Sequence, residues 1–240
     1  MLQSAKSCGN MGDTEFMPNK TSWSRIVDAL DSIPEETALE YLCKYYGLGS
    51  WDGRPFTGLH FDGLPKVSVD RVIADDIVAV ACLSIHVPAA ASVEILGEQR
   101  DEIASLLSAI PNSNLEDIPW DQHEKWLGDG SAAFGLWRLL RQLDGVGPTT
   151  ASKLMARKRP GLIPIYDSVV ARVTGFDSSA GTWRVWHSAL FNAPFKDRLQ
   201  KIRASAALEH ISLLRVLDVV LWMDGKGFQK PERVDEEVGL

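Results

Sequence analysis

Hydrophobic positions recur every three to four residues along most of this chain, and the elements they predict are helices. Ile26, Val27 and Leu30 share one side of a helix that starts near Thr21. Leu39, Leu42 and Tyr46 share a face of a second helix, opened by Pro34. Residues 70–87, DRVIADDIVAVACLSIHV, are apolar enough to predict a buried helix capped near Asp70 or Ala74 and ended by Pro88. Short helices follow at about 89–96 and 99–110, the latter stopped by Pro111. Ser131 is an N-cap for the amphipathic run 131–143, and Pro148 sits in the first turn of a helix over 148–158. The segment RPGLIPIY reads as extended, after which Asp167 opens another helix. The run from Ala204 to Met223 reads as one long apolar helix. Two stretches lack helical spacing. Residues 47–65, rich in glycine and aromatics, predict a long loop or a short β-hairpin, and 111–130 predicts a loop carrying Trp120 and Trp126. The expectation is an all-α chain without internal repeats. It has a flexible tail over 1–20, a helical domain over 21–225 with a helical hairpin at 131–158, and a polar tail over 226–240.

Composition adds exclusions. The 240 residues suffice for a core without disulfide or metal staples. No apolar stretch approaches the length of a membrane span, and the polar start has no signal-peptide core, so the expectation is a cytoplasmic monomer that does not enter membranes. Cys8, Cys43 and Cys82 form no CxxC pair and are too few for a four-cysteine cluster; two read as core thiols and one as part of the tail. The five histidines show no ligand spacing, so no metal site is expected.

The net charge of −7 argues against nucleic acid until its distribution is read. Residues 138–203 carry twelve lysines and arginines against four aspartates, a net of +8, which leaves the rest of the chain at −15. Such segregation allows a basic face on an acidic protein, although a merely solvated helical face has the same composition.

The hairpin falls inside that basic segment. In Leu143-Asp144-Gly145-Val146-Gly147 the two glycines permit positive φ and close backbone approach. The amides of Val146, Gly147 and Thr149 then point outward at a helix N-terminus, where a DNA phosphate is the natural guest. Lys153, Arg157, Lys158 and Arg159 follow and are placed on neighbouring phosphates. A tight turn that only packs is the competing reading of the glycines.

LDGVGPTTASKL resembles the hairpin of the helix–hairpin–helix DNA glycosylase superfamily, the endonuclease III and adenine glycosylase group. IPIYDSVVARV resembles the segment that follows it there and places Asp167 on the catalytic aspartate. Thr149 stands where lyase-active members keep a lysine, 18 residues before Asp167. The resemblance covers roughly 135–175 and implies a two-subdomain helical fold, with both chain ends forming the second subdomain and Asp167 at the floor of the cleft between them. It implies hydrolytic excision of a damaged, mismatched or modified base from double-stranded DNA, leaving an abasic site. With no hairpin lysine and no cysteine cluster, it implies a divergent, monofunctional member without lyase chemistry or organic cofactor. The hairpin carbonyls keep room for a monovalent cation.

Chemistry supports Asp167 separately. Breaking an N-glycosidic bond builds positive charge on the sugar, and a fixed carboxylate beside C1′ stabilises it and orients the attacking water. A simple N-cap is the alternative role. Base extrusion needs stacking rings and edge readers. The 47–65 loop offers Trp51, Phe56 and His60 with Asp52 and Asp62, and Tyr166 lies beside Asp167; Phe61, Trp120 and Trp126 are further aromatic candidates. A roomy pocket there would take a bulky modified pyrimidine of the kind phage DNA carries, which would make the role defence rather than repair. Asp75 and Asp76, in an apolar helix, read as caps or exposed residues before base readers. The competing classes are a non-catalytic helix–hairpin–helix DNA-binding protein, which has no need of Asp167, and an interaction module whose basic segment is incidental.

Overall fold

The computed structural model describes residues 20–228 except 50 and 52, so both expected tails lie outside it apart from Lys20 and residues 226–228, as do Cys8 and Asp52. Every regular element among these residues is helical. In order they are α1 (Lys20–Asp31), α2 (Glu35–Tyr46), α3 (Leu59–Gly63), α4 (Ala74–Ala81), α5 (Ala89–Leu96), α6 (Arg100–Ala109), α7 (His123–Leu127), α8 (Ala132–Gln142), α9 (Pro148–Lys158), α10 (Ser168–Thr174), α11 (Thr182–Phe191), α12 (Ala193–Ser205) and α13 (Leu213–Gly225), with 3-10 turns at Leu115–Asp117 and Trp120–Gln122. The protein is all-α, and no helix among the described residues is long and apolar enough to cross a membrane.

Local chemistry explains the boundaries. Ser131 caps α8, its Oγ accepting from the Phe134 amide at 3.1 Å. Asn192 Oδ1 does the same for α12 through Phe195 at 3.1 Å. Four expectations need correction. Residues 111–130, expected as a loop, hold 3-10 turns at Leu115–Asp117 and Trp120–Gln122 and the helix α7. The long helix over 204–223 is two: α12 stops at Ser205, Ala207 turns back with φ +53, and α13 begins after Ser212. Ser212 fixes that break, accepting from the Arg215 amide and donating to the Pro160 carbonyl at 2.7 Å. The helix in 70–87 starts at Ala74, one of its two expected starts, where the Asp76 side chain accepts from the Ile73 amide at 3.0 Å, but it ends at Ala81, short of Pro88, and Ser84 then holds φ +57. The glycine-rich 47–65 segment has no strand among its described residues and contains the short helix α3 instead.

The helices sort by what they touch. Along the middle of the chain, α4 packs on α3 and α9, α9 on α8, α8 on α6 and α7, and α6 on α5. From the two ends, α1 packs on α10, α11 and α13, while α2 and α12 pack on α13 and on each other. Helix α13 is apolar apart from Arg215, Asp218 and Asp224 and is buried almost throughout. One hydrophobic core runs through both groups.

Candidate active site and nucleic-acid interface

The turn between α8 and α9 is built on Gly145, which holds φ +71 and passes so close to Pro88 that a Cβ there would lie 2.8 Å from its ring. The Val146 side chain is buried and its amide donates to the Leu143 carbonyl at 3.1 Å, so it closes the turn and does not point outward as expected. Among the described residues the amides of Gly147, Thr149 and Thr150 have no backbone partner, and Pro148 occupies the first helical position. The Arg141 guanidinium caps the Val146 carbonyl. Arg138 and Arg141 are exposed on α8 beside this turn.

Asp167 is the N-cap of α10, with Oδ1 accepting from the Val169 amide at 2.9 Å. Its other oxygen is free of that duty and meets Lys153 Nζ at 3.0 Å. Lys153 is therefore turned inward, only 4% exposed, with a second bond to the Leu83 carbonyl, and is not a phosphate contact. The two side chains stand on the wall of a small pocket, of about 50 Å³, between the two helix groups. Tyr45, Phe56 and Trp222 form its aromatic side, Tyr45 stacked on Phe56 at 5.6 Å and Trp222 edge-on to both. Gly58 lies against the Tyr45 hydroxyl, which leaves no room for a Cβ. Opposite runs the loop after α4, where Ser84 holds φ +57. A serine rarely adopts that conformation, and loops that hold one concentrate at working sites. The same loop reaches Pro88 and so joins the pocket to the hairpin.

The basic run at the end of α9 is a correction. Arg157, Lys158 and Arg159 are 0%, 3% and 2% exposed. Arg157 donates to Asp76 at 3.0 Å and to the carbonyls of Phe61, Leu64 and Pro65. Lys158 donates to Asp76 at 2.7 Å. Arg159 bonds Asp70 and the carbonyls of Leu107, Val69, Ile110 and Lys158. These side chains pin the 61–70 segment to α9, so phosphate cannot reach them. Asp76 is the shared counter-ion of Arg157 and Lys158 as well as a cap, which removes it from base reading; Asp75 is exposed.

The 47–65 loop does not converge on Asp167. Among the described residues, Phe56 alone of the expected base contacts lines the pocket. Trp51 lies under Lys44, 5.1 Å from the ammonium, and His60 is exposed. Asp62 is buried behind the pocket, paired with Arg215 at 3.0 Å and bonded by Tyr46. Phe61 is core, beneath Arg215. Tyr166 faces a neighbouring cavity with Trp137 and Trp183. Trp120 stacks on His123, and Trp126 lies under Lys125. The half-buried Cys43 and Cys82 are not core thiols, and Cys82 is on the pocket wall.

Arg215, Asp218 and Trp222 of α13, with Tyr45 of α2, are pocket residues that sequence reasoning missed. A signal existed: Arg215 and Asp218 are charges three apart in an otherwise apolar helix, LLRVLDVVLWM. Burial raises the Tyr45 hydroxyl and, most of all, the Asp218 carboxyl, which is pushed up to about 6. Chemically, the pocket offers flat apolar walls, one ammonium, one guanidinium and two carboxylates.

No curated protein and no solved structure matches this chain. A family model does match residues 38–225, a span that holds the whole pocket and the hairpin, and the protein therefore belongs to DUF6308, a family of unknown function.

Proposed function

We propose that the protein is a DNA N-glycosylase that binds duplex DNA through the α8–α9 turn and releases an extruded base from the pocket beside Asp167. The observation that carries this reading is the position of Asp167. Its carboxylate is fixed by its own helix cap, lies at the mouth of an aromatic-walled pocket, and is joined to the hairpin through the 82–88 loop. A fixed anion there stabilises the oxocarbenium-like sugar and orients water toward C1′. The free amides of Gly147, Thr149 and Thr150 take a phosphate, with Arg138 and Arg141 in place of the buried run. The division into a middle and an end group of helices, with the pocket between them, agrees with the architecture the resemblance implies. Lys153 holds the Asp167 carboxylate in place.

One observation favours a second reading. With Nζ 3.0 Å from Asp167 at the pocket, Lys153 is also placed to attack C1′, expel the base and form a Schiff base, which would give strand cleavage. Both readings are tested by incubating the protein with duplexes bearing a panel of modified bases, with mass spectrometry for the freed base and borohydride for a trapped adduct. Hydrolysis predicts a released base, strands that break only in hot alkali, and no adduct. An adduct lost in Lys153→Ala replaces the hydrolytic reading with the lysine one. DNA binding without release from any duplex leaves a binding protein.

A further inference from the structure

Helix α13 puts Arg215, Asp218 and Trp222 on the pocket side. The guanidinium lies between the rings of Tyr45 and Phe61, each 5.3 Å away. It donates to Asp62 at 3.0 Å, to the Tyr45 hydroxyl at 2.6 Å and to Asp218 Oδ2. Asp218 Oδ1 has no hydrogen-bond partner among the described residues, and the residue is only 6% exposed. Ser113 Oγ and Glu116 Oε2 are the other bare buried atoms, and neither residue is on this pocket's wall. Native proteins rarely leave a buried carboxyl oxygen bare, because its desolvation is then uncompensated.

The charged groups facing Asp218 come from several helices. Arg215 is on its own helix, Lys153 on α9, Asp167 at the start of α10, and the Tyr45 hydroxyl on α2. Burial favours the neutral acid above all, Asp167 adds to it, and Arg215 and Lys153 oppose it, so the carboxyl carries its proton up to about pH 6.

Building on the base-release reading of this pocket, we propose that Asp218 is the proton donor to the departing base, with Oδ1 bonded to an acceptor nitrogen or oxygen on the base edge while Arg215 keeps Oδ2. As the C1′–N bond breaks, its electron pair leaves with the base, and the Asp218 proton joins an acceptor atom of that base. Water adds to C1′ and gives up its proton through Asp167. Asp218 takes a proton back from solvent when the base departs, so the sum is one water consumed and one protonated base released. The substrates are neutral bases, which leave poorly as anions and need that proton.

The test is the single-turnover rate from pH 5 to 8.5 on whichever neutral base the wild-type protein releases fastest from the duplex panel, with Asp218→Asn and Asp218→Glu compared. The wild-type rate should fall about tenfold per pH unit above about 6. Asp218→Asn should be at least about a hundredfold slower at pH 5.5 and lose that limb. Asp218→Glu should keep a limb and shift its midpoint. An Asp218→Asn protein with wild-type rate and limb overturns the proposal and leaves the base-release reading standing. If that variant does not fold, a wild-type rate that is flat or rising from pH 5 to 8 overturns it equally. Release of no base from any duplex overturns the base-release reading and this proposal together.

Discussion

Two buried charge clusters flank Phe61, Arg157 bonding its carbonyl and Arg215 lying over its ring, and they differ in how completely they are bonded. Around Asp76, both carboxylate oxygens are taken by Arg157, Lys158 and the Ile73 amide, and the neighbouring guanidinium of Arg159 spends its donors on four carbonyls and Asp70. Around Asp218, Arg215 is well bonded, yet one carboxyl oxygen has nothing. Nearby, Lys153 holds Asp167 at the pocket mouth. A closed cluster fixes a loop to a helix, because removing any member leaves an uncompensated charge. An open cluster lowers stability and keeps binding capacity for a guest. The same residue types are therefore bonded differently in the two places, and what separates them is the unpartnered Asp218 oxygen in a residue that lines a pocket.

The contrast can be broken by substitution. The largest effect should come from Asp76→Ala, which strands Arg157 and Lys158. A loss of about 3–5 kcal/mol in urea unfolding is expected, with base release per folded molecule unchanged. A loss under about 1 kcal/mol would show that the cluster does not hold the fold. Asp218→Asn should act in the opposite direction. Its folded carboxyl is raised from 3.8 to about 6 by burial, so its contribution is full below pH 4 and is lost as pH rises through 6. The Asn variant should therefore be about 1–3 kcal/mol more stable than wild type at pH 7.5 and not at pH 4. Equal stability at both pH values would show that burial does not strain this group. Gly145→Ala should cost about 1–2 kcal/mol, since alanine there must keep positive φ and its Cβ meets Pro88. It should also weaken duplex binding in fluorescence anisotropy, whereas unchanged affinity would remove the turn from the DNA interface.

The helices and the hairpin were legible because their signals are local. Ser131, Pro148 and Asp167 carry capping chemistry that neighbours cannot override, and the structure keeps all three as expected. The break at Ala206–Ser212 was not legible, because apolar residues on both sides continue a helical period and the turn is fixed by Ser212 reaching Pro160, far away in sequence. The site divides the same way. Asp167 could be found from its lead-in. The fate of Arg157–Lys158–Arg159 could not, since a basic run reads as surface until Asp76 is known to lie against it. Nor could the partnership of Lys153 with Asp167, or the arrival of Arg215, Asp218 and Trp222 from the far end of the chain, because only tertiary packing brings α13 to α2 and α10.

The central claim is that Asp167, on the wall of the pocket that the open cluster also lines, carries the base-release chemistry. Asp167→Asn tests it most directly, because asparagine keeps the helix cap and the shape and removes only the charge. The measurement is the single-turnover rate of base release at saturating duplex, on protein whose folding and DNA affinity match wild type. A fall of at least about a hundredfold is predicted. A rate within about threefold of wild type would reduce Asp167 to a helix cap and contradict the account.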